Sequence, residues 1–148
     1  MGDAAPAASY SWFDHTADIG LEVTAPTLEA LFETAATALF DLLVETPAAG
    51  GASGGEKREI RAAAGSGAEL LVRWLSELLY LHDAEGLVLR GFEIVELRED
   101  RVTGRAVSER YDPVRHRPRT QIKAVTYHQL LLQRQEGEGW KARLVFDV

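Results

Sequence analysis

The sequence predicts a single α+β domain with a mainly antiparallel sheet and two amphipathic helices packed on it. Two segments, which begin near Thr27 and Ser66, repeat apolar residues every three to four positions, as a helix buried along one side does. Most of the remaining chain consists of short alternating stretches separated by tight turns. Strands joined so closely pair antiparallel, because a parallel pair needs a long crossover connection. Helices that pack on such a sheet define the α+β class.

Length and composition set the limits of this domain. A chain of 148 residues with 46% hydrophobic residues is long and apolar enough for one domain with its own core. Residues 1–9 are rich in Ala and predict a disordered tail, which leaves 10–148 as the domain. The chain has no cysteine, so disulfides and thiolate metal sites are excluded. Because the sequence shows neither a secretory signal nor an apolar run long enough to span a membrane, we expect a cytoplasmic protein.

The first part of the chain predicts two strands and a helix. Tyr10–Phe13 and Ile19–Thr24 have the pattern of strands, and Ile, Leu and Val alternate along one face of the second. Thr27 is the predicted N-cap of the first helix, whose apolar stripe runs from Leu28 to Leu43. The helix is expected to end before Pro47–Gly55, which is predicted to be a loop.

The rest of the chain predicts a second helix and a series of strands. Ser66 and Glu69 have the spacing of a capping box at the helix start, and Gly86 is placed to end the helix in the left-handed conformation. Turns are predicted at Glu99-Asp100 and at 137–139, and the second turn joins the last two strands as a hairpin. The predicted strands are Glu56–Ala64, Leu87–Leu89, Phe92–Arg98, Arg101–Ser108, Gln121–Arg134 and Trp140–Asp147.

Carboxylates occur together at two strand ends. Asp14, His15 and Asp18 fall within five residues directly before the second strand. This group could hold a cation or a partner, and a solvated turn is the alternative. Asp147 is the penultimate residue, so its side chain lies beside the terminal carboxylate of Val148. Two neighbouring anions are solvated, protonated or neutralised by a cation. If a cation binds here, oxygen ligands suit Ca²⁺, Mg²⁺ or Mn²⁺. The spacing in the sequence does not show whether Asp18 approaches Asp147.

Lys123 is a second candidate functional residue. It lies in Ile122–His128, where both alternating faces are largely apolar, which indicates a central strand. A lysine there is costly unless it is paired or lies at the mouth of a site, and a lysine that extends to solvent at the strand end is the alternative. His128 is an odd number of residues from Lys123, so the two face opposite ways unless a bulge intervenes.

Charge limits contact with nucleic acid to one stretch. The net charge of −7 makes a broad, sequence-independent affinity for nucleic acid unexpected. Arg110–Arg119 is basic and predicts either a solvated loop or a local contact with RNA or an acidic partner. No aromatic platform with interleaved basic residues is visible in the sequence. A P-loop, a nucleophile elbow and a dinucleotide fingerprint are also missing, so the residues themselves predict no enzyme class.

Three sequence blocks resemble the archease family. They are Asp14-His15-Thr16-Ala17-Asp18-Ile19-Gly20-Leu21, Trp74–Leu87 and Ile122–His128, and the chain then stops at Phe146-Asp147-Val148. Their order and spacing match the family from Phe13 onward. The resemblance implies a metal ion bound by Asp18, Asp147 and the terminal carboxylate of Val148. The residues themselves offer Asp14 as a further candidate ligand. It implies Ca²⁺ ahead of Mg²⁺ or Mn²⁺, and it assigns Lys123 to the functional surface.

The resemblance also implies a function. Archeases are protein cofactors of the RNA ligase RtcB in tRNA splicing and RNA repair, where they promote guanylylation and multiple turnover of the ligase. We therefore expect RtcB as the partner and no enzymatic activity in the chain itself. RNA is expected to be contacted indirectly or through the Arg110–Arg119 loop.

Two other functions fit the residues. A metal-dependent hydrolase of a small phosphate ester would use Asp18 and Asp147 to hold the metal and His15 as the base. A chaperone-like adaptor would bind a partner without any chemistry. His15 is therefore a candidate functional residue, although an imidazole in such a turn is typically a hydrogen-bonding residue. The sequence assigns no oligomeric state and no role to His82, Asp83, His116 and His128.

Overall fold

In the computed structural model, which describes residues 7–15, 18–45, 55–137 and 139–148, two helices lie between two antiparallel sheets. The helices are α1 (Leu28–Leu43) and α2 (Gly67–Glu85). The strands are β1 (Ser9–His15), β2 (Asp18–Ala25), β3 (Val44–Glu45), β4 (Glu56–Ala63), β5 (Leu87–Leu97), β6 (Arg101–Arg110), β7 (Arg117–Pro118), β8 (Ala124–Arg134) and β9 (Trp140–Asp147). One sheet has the order β1-β2-β9-β8, the other has the order β4-β6-β5, and β3 pairs with β7.

The α+β class is confirmed, and the strands divide between two sheets. Each helix contacts both sheets, so the core fills the space between them. Trp74 of α2 is fully buried there, and its indole N–H donates to the backbone carbonyl of Phe32 in α1 at 3.2 Å. This bond satisfies the polar atom of a large core side chain and ties the helices together.

The predicted helix ends are confirmed by local hydrogen bonds. The Thr27 hydroxyl accepts from the N–H of Ala30 at 3.1 Å. The Ser66 hydroxyl accepts from the N–H of Glu69 at 3.3 Å and also lies 3.0 Å from the Glu69 carboxylate. Gly86 ends α2 in the left-handed conformation, with φ 69°. These groups satisfy N–H and carbonyl positions that a helix cannot pair internally.

Two predicted segments fall partly outside the described residues. The predicted tail covers residues 1–9, of which 1–6 are outside, and Ser9 already belongs to β1. The predicted loop Pro47–Gly55 is described only at Gly55. Within the described ranges, no helix has the length and apolar character needed to cross a membrane.

Candidate functional site

Strand pairing places Asp18 directly opposite Asp147. These residues lie at the first position of β2 and the last position of β9, which are neighbouring antiparallel strands. On the other side of β2, His15 is the residue opposite Asp18. Residues opposite each other in an antiparallel pair share a face of the sheet, with Cβ atoms about 4.5–5.5 Å apart. Two carboxylates from opposite ends of the chain therefore lie side by side where the two central strands of the four-stranded sheet end.

The alternation of β9 fixes which face these acids occupy. Ala142, Leu144 and Phe146 are fully buried in the core, as the sequence predicts. Lys141 and Arg143 lie on the opposite face, where their side chains are 3.5 and 3.3 Å from the carboxylate of Glu22 on β2. Asp147 shares that outer face by the two-residue period of a strand. The paired acids are thus half-buried on the outer face and are not part of the hydrophobic core.

The chain end and Lys123 are held against the same strand end. Val148 follows Asp147 and packs against the core, so the end of β9 is fixed. The backbone N–H of Lys123 donates to the carbonyl oxygen of Asp147 at 2.7 Å, and the Lys123 side chain is exposed. The structure therefore brings Asp18, Asp147, Val148 and the backbone of Lys123 to the same strand end.

The prediction that Lys123 lies in a central strand is wrong. β8 begins at Ala124 and is an edge strand of its sheet. The apolar residues on both sides of Lys123 suggest a central strand. However, Ile122 is buried in the segment that precedes β8 and is not part of the strand. A lysine at this position keeps its charge in solvent, so the expected cost of burying it does not arise.

A large irregularity in β8 changes the expectation for His128. The register with β9 passes from Thr126–Val145 to Leu131–Arg143, so β8 carries three extra residues in this interval. Gln129 has φ 53°, a left-handed conformation that is rare for a residue other than glycine. Strict alternation from Lys123 to His128 is therefore interrupted, and their spacing does not determine which way the exposed His128 faces.

The oxygen donors at the strand ends fit a hard divalent cation. Asp18 and Asp147 supply two carboxylates, which are the oxygen ligands that such a cation prefers. Among the side chains that the structure describes, no group of three or more Asp, Glu or His residues is close enough to hold a metal. The side chains of Asp14 and His15 are not among those described, and their backbone positions lie opposite Ile19 and Asp18.

Part of the basic stretch Arg110–Arg119 serves the fold. His116 is fully buried, its Nδ1 accepts from the N–H of Asp112 at 3.0 Å, and its Nε2 therefore donates to Glu109 at 3.0 Å. Arg115 also pairs with Glu109, at 2.9 Å. These bonds fix the loop, so His116 and Arg115 have structural partners. In α2, the ring of His82 bonds to the carbonyl oxygen of Leu87 at 2.8 Å through Nδ1.

One residue near the site is not selected by sequence reasoning. Trp12 on β1 is 38% exposed, and its ring centroid lies 6.2 Å from that of Phe146, the neighbour of Asp147. The only sequence signal is an aromatic residue in an edge strand, which is common in any sheet. The pairing of β1, β2 and β9 places it opposite Leu21 on the inner face of the sheet, whereas the paired acids lie on the outer face.

Comparison with known proteins identifies the family. Residues 10–148 match the model of the Archease protein family (MTH1598/TM1083). The chain is 40% identical to protein archease of Methanosarcina mazei, over 94% of this chain and 95% of that protein. It is 38% identical to protein archease of Pyrococcus abyssi, over 92% of this chain and 96% of that protein. The solution structure of Methanobacterium thermoautotrophicum protein 1598 has a TM-score of 0.72 and 32% identity, covering 94% of this chain and 98% of that one.

The molecule is thus a small α+β protein that places two acids at adjacent strand ends. The chain belongs to the archease family.

Proposed function

We propose that this protein is an archease-type cofactor of the RNA ligase RtcB, which it stimulates in tRNA splicing or RNA repair. It would promote guanylylation and multiple turnover of the ligase and would perform no reaction of its own. Membership of the archease family supports this assignment. The observation that supports a definite site is the pairing of Asp18 with Asp147, because it joins the two ends of the sequence signature on one face of the sheet.

At this site, Asp18, Asp147 and the terminal carboxylate of Val148 would hold a divalent cation, with Ca²⁺ preferred over Mg²⁺ or Mn²⁺. The cation would supply positive charge that can bind a phosphate oxygen. Asp14 is a further candidate ligand, and His15 is opposite Asp18 in the strand register. Lys123 would contact an anionic group of the ligase, its nucleotide or the RNA, because an ammonium group donates hydrogen bonds and cannot ligate a metal.

The test is RNA ligation by purified RtcB under multiple-turnover conditions, with and without this protein. We expect wild-type protein to stimulate the ligase and Asp18→Ala to abolish stimulation, because a cation held by few carboxylates loses one of them. Asp18 is half-buried at a strand end, so the variant should melt near the wild-type temperature. Calorimetric titration with Ca²⁺ should show the same loss in the metal affinity of the variant.

Glu22→Ala is the matched control. Glu22 lies on the same strand and face as Asp18, but its carboxylate is paired with Lys141 and Arg143 away from the strand ends. Its removal should leave stimulation and Ca²⁺ affinity unchanged, since partly exposed ion pairs of this kind contribute little to stability. Full stimulation by folded Asp18→Ala protein would exclude Asp18 from the site. Hydrolysis of phosphate esters by the isolated protein would instead favour the hydrolase.

A further inference from the structure

A cavity, here called the helix-end cavity, lies where both helices finish. Its volume is about 500 Å³, which is within the usual range for sites that hold small molecules. It is lined by Leu43, the last residue of α1, by Asp83 in the last turn of α2, and by the segment 118–122. That segment continues into Lys123, whose N–H is bonded to the carbonyl oxygen of Asp147. The helix-end cavity therefore adjoins the strand end that carries the paired acids.

Backbone bonds fix the walls of the helix-end cavity. The N–H of Arg119 donates to the carbonyl oxygen of Leu43 at 3.0 Å. The N–H of the next residue, Thr120, donates to the carbonyl oxygen of Leu42 at 3.1 Å. Leu43 and Ile122 are buried, so they form a firm apolar wall. A cavity whose walls are tethered in this way is formed before a ligand arrives, and little further ordering is needed on binding.

His82 supplies this cavity with a hydrogen-bond acceptor in a fixed orientation. Its Nδ1 donates to the carbonyl oxygen of Leu87 at 2.8 Å, because a carbonyl oxygen can only accept. In the neutral ring Nε2 is therefore an acceptor, and no group among the described residues bonds to it. Phe40 and Tyr111 contact the ring edge-to-face, with centroids 5.8 and 5.6 Å away, and hold it in place. The half-buried ring lines the helix-end cavity, so Nε2 is the ring nitrogen that a ligand there can reach.

Asp83 adds a carboxylate that has no cation beside it. The C-terminal end of a helix carries partial negative charge, which disfavours a carboxylate there. Glu85, in the same turn, is neutralised by Arg58 at 3.0 Å. Within the described ranges no lysine or arginine pairs with Asp83, which also lines the cavity. The end of α2 therefore has two neighbouring acceptors, the carboxylate of Asp83 and Nε2 of His82, which a ligand with two adjacent donors would satisfy.

Arg119 brings a cation to the same cavity from a different element. It is exposed, and it forms no ion pair with the acidic side chains that the structure describes. The planar guanidinium group matches the oxygen atoms of a phosphate with paired N–H donors. The helix-end cavity thus combines acceptors from α2, an apolar wall and a cation from the segment after β7. A ligand that uses all three has a donor edge, a flat apolar body and a phosphate.

We propose that the helix-end cavity binds a guanine nucleotide. The N1–H and the 2-amino group of guanine are neighbouring donors, which suit Asp83 and His82, and Arg119 binds the phosphates. Adenine has an acceptor next to its amino group, so it satisfies only one of the two acceptors. The inference deepens the proposed function and rests on it for its purpose, because the guanylylation that the chain promotes uses a guanine nucleotide.

The experiment is calorimetric titration of the full protein with GTP, ATP and guanosine, in EDTA and without the ligase. We expect GTP to bind more tightly than ATP. Asp83→Asn should reduce this preference about tenfold, because a hydrogen bond to a charged acceptor is lost. Arg119→Gln should weaken GTP binding about tenfold and leave guanosine binding unchanged, since guanosine has no phosphate.

Arg117→Gln and Glu85→Gln are the matched controls. Each removes the same charge two residues away from the tested position, and neither Arg117 nor Glu85 lines the helix-end cavity. Both controls should bind GTP as wild type does. Arg119 and Asp83 are exposed, so their variants should keep the wild-type melting temperature, which is measured beside the titrations.

Absence of GTP binding at millimolar concentration, or equal affinity for GTP and ATP, would overturn the inference. So would equal losses for Arg117→Gln and Arg119→Gln, because they would reflect net charge and not a contact in the cavity. The titration contains no ligase, so its result is separate from the proposed function. Stimulation of RtcB by protein that does not bind GTP would refute this inference alone, and GTP binding without stimulation would refute the proposed function alone.

Discussion

At the scale of single residues, Lys123 separates metal binding from contact with a partner. Its backbone is bonded to Asp147 while its ammonium group is exposed. We predict that Lys123→Ala lowers ligase stimulation and leaves Ca²⁺ affinity near wild type, because an ammonium group cannot be a metal ligand. Ligation turnover and calorimetric titration measure the two effects.

The control is Lys57→Ala, since Lys57 is an exposed lysine on the other sheet. This variant should change neither ligase stimulation nor Ca²⁺ affinity. A loss of Ca²⁺ affinity as large as that of Asp18→Ala would mean that Lys123 positions the carboxylates.

Tyr10 has the most strongly perturbed ionisation that the structure identifies. Burial raises its pKa first, and the hydrogen bond and charge of Asp41 raise it further, to about 12, although Arg119 acts in the opposite direction. Because the folded chain holds this proton more tightly than the unfolded chain, Tyr10 contributes stability below pH 10. That contribution is lost as pH rises from about 10 toward about 12.

This perturbation predicts a measurable high-pH ionisation. In a spectrophotometric titration of the folded protein, one tyrosine should ionise near pH 12, and that step should disappear in Tyr10→Phe. Asp41→Asn should move the step to lower pH, since it removes the negative charge that opposes ionisation. The fall in unfolding free energy above pH 10 should also be shallower in Tyr10→Phe. An identical titration curve for wild type and Tyr10→Phe would contradict the assignment.

At the scale of elements, the helices are predictable and the irregular strands are not. Thr27, Ser66 and Gly86 act on their own helix ends, so a local sequence pattern contains the whole signal. The β8 irregularity depends on how β8 aligns with β9, which no local pattern specifies. Likewise, the two predicted strands around Gly91 form the single bent strand β5, because Gly91 adopts φ 65° and the register shifts there.

Gly104 shows how tightly α2 packs on the three-stranded sheet. A Cβ atom at this position would lie 2.5 Å from the ring of Trp74 and 3.2 Å from the carbonyl oxygen of Glu93. Trp74 is fully buried and bonded through its indole N–H, so the ring has no free space to move into. Only a residue without a Cβ atom allows this close approach of helix and strand.

We therefore predict that Gly104→Ala destabilises the protein by about 1–3 kcal/mol, the usual cost of overpacking a core. Urea unfolding followed by circular dichroism measures the change. Gly65→Ala is the control, because a Cβ atom there would meet only the flexible Glu69 side chain at 3.5 Å. Equal unfolding midpoints for Gly104→Ala and wild type would show that Trp74 can move aside.

At the scale of the whole molecule, long-range pairing creates the site. The sequence suggests each acid separately, and the family resemblance groups Asp18 with Asp147, but only the sheet order places β2 beside β9.

The division of strands into two sheets is also a property of the whole fold. Alternating patterns identify strands and their inner faces, yet they do not say which strands pair. Ile60 of β4 and Leu144 of β9 are both apolar residues on the inner face of a strand and are both buried, but they belong to different sheets. Contact of the helices with both sheets explains why so much of their surface is buried.

The end of the chain provides the sharpest test of the assembled site. If the carboxylate of Val148 is a metal ligand, a C-terminal tag converts it to a neutral amide and removes one charged ligand. We predict that the tagged protein keeps its melting temperature, because Phe146 faces the core while Asp147 lies on the outer face. Its Ca²⁺ affinity should fall about tenfold or more, since affinity for a hard cation follows the charge of its ligands. It should also fail to stimulate RtcB.

A tag placed before Ser9 is the control and should preserve metal binding and stimulation. Equal Ca²⁺ affinity and equal stimulation for the two tagged proteins would remove the terminal carboxylate from the site and leave Asp18 and Asp147 as its acids.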